Sequence, residues 1–76
     1  MNNQRRKELD TVINILNDAK SKLESIIDDE QCAFDNLPEG LQCSERGEQM
    51  ESAIDNMNDA LDNIDEVISC IEEAQM

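Results

Sequence analysis

The apolar residues of this chain recur every seven positions in two separate stretches. In the second half, Met50, Met57, Ile64 and Ile71 share one position, a, of a heptad written abcdefg. Ala53, Ala60, Val67 and Ala74 then fall at d, and Ile54, Leu61 and Ile68 at e. No a, d or e position from Met50 to Ala74 carries a charge. A stripe this wide is the kind a helix buries in a bundle, and strict heptad spacing predicts left-handed knobs-into-holes packing. The first half repeats the pattern. Leu9, Leu16 and Leu23 are at a, with Glu30 as the exception; Val12, Ala19, Ile26 and Ala33 are at d; Ile13, Lys20, Ile27 and Phe34 are at e.

Between the stretches lies NLPEGLQCSERG. Proline pushes the preceding residue out of the helical region, so Pro38 predicts an end to helix one near Asn36. Gly40 is expected to supply a positive φ for the reversal. Ser44 is a good N-cap for helix two, with Glu45 following in its first turn. The expected architecture is all-α: one domain over residues 1–76, with helix one over about 4–36, a turn over 37–43 and helix two over about 44–75. A short connection makes the long helices antiparallel neighbours in a coiled-coil-like hairpin.

With a set against d, the expected register pairs residues whose numbers total 83, so Ala19 meets Ile64 and Leu23 meets Ala60, small against large, and a shift by one heptad also keeps a against d. Position e then points sideways from the seam, and Ile15 at g widens the strip left open. Burying that strip calls for a homodimer, a four-helix bundle joined through Ile13, Ile15, Ile27, Phe34, Ile54, Leu61 and Ile68. Arg5, Arg6 and Lys7 oppose the dipole of helix one, and the hairpin is expected to bring Glu72 and Glu73 to them.

Composition narrows the function. The net charge is −13 and Phe34 is the sole aromatic ring, so the core is aliphatic and thin. Low hydrophobicity with high charge favours disorder, but strict apolar periodicity outweighs that reading. The charge disfavours direct contact with nucleic acid or anionic lipid and favours a basic protein surface. No apolar run follows the basic start MNNQRRKELD, and no stretch approaches a membrane span. With three cysteines, an odd number, the chain is expected to be cytoplasmic with reduced thiols.

No chemistry for catalysis is assembled. Histidine is absent, which removes the commonest general base and a common metal ligand. Cys32, Cys43 and Cys70 lack C-x-x-C spacing. DNMNDALDNIDE at 55–66 resembles a calcium loop but lacks its glycine and stays in helical phase. The expectation is a binding protein without enzyme activity, metal or cofactor. Glu30 in the seam reads as a register device or a site near the bundle end.

The carboxylates are the remaining signal. Glu48, Glu51, Asp55, Asp59, Asp62, Asp65 and Glu66 all fall at b, c or f, and no positive charge follows Gly47. Successive acids sit about 5–6 Å apart on a helix, a scale similar to the phosphates of a DNA strand. Solubility alone explains an acidic surface too. Ordinary solvated helices, however, interleave lysine with glutamate, and helix two forgoes that support.

The run FDNLPEGLQCSERGEQMESAIDNMNDALDN at 34–63 resembles short acidic helical proteins of bacterial phages and mobile elements, through DNLPEGLQ followed by SERGE. The resemblance covers about half of the chain, with Asn36, Pro38, Gly40, Ser44 and Gly47 as its most distinctive residues. It implies a phage-like origin and a small helical fold, and it carries no catalytic residue over. The resulting expectation is an inhibitor of a bacterial defence or nucleic-acid-binding protein, acting by docking or DNA mimicry. The rival is a structural homodimer used as a scaffold or assembly element.

Overall fold

The computed structural model describes all 76 residues. It contains α1 (Asn3–Asp35), α2 (Glu39–Gln42) and α3 (Glu45–Ala74), and no strand. The long helices α1 and α3 pack together in a rod of 58 × 15 × 12 Å. Their N-termini are capped by side chains that satisfy otherwise orphaned amides. Asn2 accepts from the Arg5 N–H at 2.8 Å, and Ser44 accepts from the Gly47 N–H at 3.4 Å.

The reversal differs from expectation. No glycine has a positive φ, and Gly40 sits inside α2. The chain turns by one extra helical turn instead, because the N–H groups of Leu41 and Gln42 both donate to the Pro38 carbonyl, at 2.8 and 3.1 Å. Gln42 then reaches back, its Nε2 donating to the carbonyls of Phe34 and Leu37, each at 3.2 Å. The Leu37 carbonyl has no backbone donor, and the Phe34 carbonyl, which also accepts from the Leu37 N–H at 3.0 Å, has Pro38 in place of a donor four residues on. Leu37 is half-buried, whereas Leu41 is 48% exposed.

The seam itself is displaced by one column of the heptad. The only buried hydrophobic residues are Ile27 and Ile54, both at e, and every apolar a or e residue from Leu9 to Ile71 is buried or half-buried. Position d turns outward: Val12 and Ile26 on α1 and Val67 on α3 are exposed. The expectation that e points sideways is therefore corrected, and a faces e across the hairpin rather than d. Side-chain bulk is the reason. Five of the eight d positions are alanine, while a and e hold Leu, Ile, Met and Phe, so the a/e stripe removes more apolar surface from water. Each fully buried Ile contributes about 1.5–3 kcal/mol, and two such residues make a slender core.

Polar residues also occupy the e column. Lys20 extends from the seam to Asp65, Nζ to Oδ1 at 2.7 Å, the single ion pair in the structure. At the open end of the hairpin, Arg6 Nε donates to the Gln75 carbonyl at 3.1 Å. Gln75 Nε2 returns a bond to the Arg6 carbonyl at 3.0 Å and another to Asp10 Oδ1 at 2.6 Å. The expected pairing of Arg5, Arg6 and Lys7 with Glu72 and Glu73 is thus replaced. Arg6 meets the backbone at the negative end of α3 instead, where a cation interacts favourably with the helix dipole.

Candidate acidic interface

The hairpin sorts its flanks by charge. Lys20 at e meets Asp65 at b, and Gln75 at e meets Asp10 at b. A shallow groove between the helices is lined by Gln31 and Glu51 at b, Phe34 and Ile54 at e, and Asp55 at f. The b positions of both long helices therefore share one side of the rod. Antiparallel packing through a and e puts the two d columns on the other side.

All seven acids singled out from the sequence are exposed. Glu51 at b and Asp55 at f line the groove, and Asp65 at b with Glu48 and Asp62 at f lie along the same side of α3. Asp59 and Glu66 at c lie on the back of α3, and Glu66 borders a second shallow groove with Asp65, Ser69, Cys70 and Glu73. The seven form a broad band around α3 rather than one convergent site. Of these acids only Asp65 has a cationic partner, and the bond to Asp65 holds the Lys20 ammonium above its ordinary value of 10.5, with the charge of Asp65 adding to the effect. The remaining six face solvent without an ion pair, a concentration of negative potential that steers positively charged partners.

The arrangement is suited to long-range attraction of a positively charged partner. No three Asp, Glu, Cys or His residues are placed to hold a metal ion. Cys32, Cys43 and Cys70 are free and exposed. No helix is long and apolar enough to cross a membrane. The residues expected to mediate self-association fall differently from the acids. Ile27 and Ile54 are buried within the hairpin, Ile13, Phe34, Leu61 and Ile68 are half-buried, and Ile15 alone is exposed, at 62%. The exposed residues missed by the sequence reading are Val12, Ile26 and Val67. The alanine content of the d column was the signal that could have found them, since a column of small residues is a poor choice for the main seam. Comparison with known protein families, curated proteins and solved structures finds no match to this chain.

Proposed function

We propose that this protein is a non-catalytic binding module that presents the acidic band of α3 to a basic surface on another protein. The observation that supports it is that six of the seven α3 acids singled out from the sequence are exposed with no ion-pair partner. Such an array costs self-repulsion along the helix and stabilises an approaching cationic groove. The rigid helix keeps the carboxylates at fixed spacing, so a groove that holds a nucleic-acid backbone is a fitting receptor. On this reading the protein is an inhibitor encoded by a phage or mobile element, working in the bacterial cytoplasm by excluding nucleic acid from a defence or nucleic-acid-binding protein.

The test is a pull-down from bacterial lysate with the wild-type protein and with Asp55→Lys/Asp59→Lys/Asp62→Lys, eluted over a salt gradient. A partner retained by the wild type, lost by the triple variant, released by moderate salt and displaced by duplex DNA supports the proposal. Retention that ignores both salt and charge reversal overturns it.

A second reading, a homodimeric four-helix bundle used for assembly, is favoured by surface area. The hairpin exposes 5581 Å², against about 4,700 Å² expected for a folded monomer of 8.6 kDa. The two readings are compatible, since a dimer can leave α3's acids free.

A further inference from the structure

The hairpin has a second face whose character is opposite to that of the acidic band. Val12, Ile26 and Val67 at d and Ile15 at g are 40, 49, 46 and 62% exposed, respectively. We infer that this d/g face, rather than the e column, is the surface through which a second copy of the chain docks. The inference rests on the dimeric reading above and names the face it uses.

Three observations identify the occupant. The first is charge. Positions d and g of the two long helices carry only Glu8 and Asp29 of the chain's 19 acids, yet Arg5, Lys22 and Arg46 of its six cations. On a chain of net charge −13, this is the face on which another equally acidic molecule meets little repulsion. The second is area. The excess of surface over a compact monomer is roughly 900 Å², and a stable interface takes about 800 Å² from each partner. The third is direction. At about 100° per residue, d lies roughly 80° and g roughly 140° around each helix from the middle of the a/e seam, so the centre of the d/g face is a little past a right angle. That is where the second neighbour sits in a square four-helix bundle.

Shape agrees with this placement. With a facing e, Val12 lies level with Ala74, Ala19 with Val67 and Ile26 with Ala60, so large and small residues alternate from one helix to the other. Two such surfaces interdigitate, a bulky side chain of one copy over an alanine of the other. The resulting bundle turns the b/f side of each hairpin outward. It is a bivalent particle with two acidic bands on opposite sides, and its avidity for a partner with repeated basic sites exceeds that of one hairpin.

Sedimentation equilibrium of the full chain, with circular dichroism to follow folding, tests the inference. The wild type is expected at twice the monomer mass. Ile15→Asp/Ile26→Asp is expected to weaken association at least tenfold while keeping helicity at concentrations where it is monomeric. Asn17→Asp/Ser21→Asp adds the same charge at exposed b and f positions and is expected to stay dimeric. Ile15→Gln, a milder change at the most exposed of the four apolar residues, supplies the comparison if the double variant unfolds, and it too is expected to weaken association. A wild type that dimerises regardless of Ile15 and Ile26 overturns the face but not the dimer. Equal loss from Asn17→Asp/Ser21→Asp also overturns the face. A wild type that remains monomeric at high micromolar concentration overturns both.

Discussion

Gly47 packs directly against the backbone of Gln42: a Cβ built on Gly47 would overlap the Gln42 carbonyl oxygen and stand 2.7 Å from that of Leu41. The contact locks the first turn of α3 onto α2 and so sets how sharply the hairpin closes. Gly47→Ala is therefore expected to destabilise the fold by about 1–3 kcal/mol, because backbone must shift to admit the methyl group. Each kcal/mol moves Tm by roughly 4–8 °C in a domain of this size. Gly40→Ala is expected to do the reverse. Gly40 is helical with open space around it, so alanine stabilises by about 0.4–1 kcal/mol. Thermal melts of the two variants check the pair, and equal effects would refute the packing role of Gly47.

Gln75 joins the ends of the two long helices through its bonds to the Arg6 carbonyl and Asp10. Gln75→Ala is expected to cost about 0.5–1.5 kcal/mol per bond lost, discounted for their partial exposure. The effect is local. Hydrogen exchange at the amides of residues 6–10 and 71–75 should accelerate while those near Ile27 and Ile54 hold their protection. Uniform acceleration throughout the rod would contradict a latch confined to the open end.

Lys20 gains its partner only in the folded chain, so its raised pKa links folding to pH. The sign follows from protonation. The folded state binds the Lys20 proton more tightly than the unfolded state does, so the ion pair's contribution is fully present below the ordinary lysine value of 10.5 and disappears as pH rises through the higher folded value. The stability difference between wild type and Lys20→Met should stay constant from neutral pH to about 10 and change only in the strongly alkaline range. Denaturant titrations across that range measure it. A difference that varies between pH 6 and 9 would assign the effect to another group.

Self-repulsion along α3 makes the hairpin salt-sensitive in an unusual direction. Raising sodium chloride from low to near-molar concentration should raise Tm, since screening relieves the repulsion among acids more than it weakens the one ion pair. Asp59→Lys should also stabilise, by roughly 0.5 kcal/mol, because a lysine there follows Asp55 by one turn and precedes Asp62. Stabilisation accompanied by loss of the basic partner would mark the acids as retained for binding at the expense of the fold. A Tm that falls with salt would show that repulsion does not govern this helix.

Much of the fold is legible along the chain. Pro38 and Ser44 mark helix boundaries by local sterics and local hydrogen bonding, and the heptads of Leu9–Leu23 and Met50–Ile71 declare two amphipathic helices. The reversal is less legible. A one-turn helix such as Glu39–Gln42 has no period to detect, and its stability comes from Gln42 reaching α1 and Gly47 receiving it. The acids of α3 are exposed as expected, for a carboxylate at b, c or f has no reason to leave water.

From the amino-acid order alone come the helices, the Ser44 cap of α3, their antiparallel pairing and the acidic exterior, which depend on local interactions, apolar periodicity or charge. Which two of the three apolar columns would form the seam was decided in three dimensions. Val67 and Ile26 are apolar like Ile54 and Ile27, so polarity alone could not rank them. The choice belongs to how much volume each column brings to the single neighbour available; the alanines of the d column hint at it along the chain, but the comparison is made only when α1 and α3 lie side by side. It buried Ile27 and Ile54, turned Val12, Ile26 and Val67 outward, and left an apolar face opposite the acidic one.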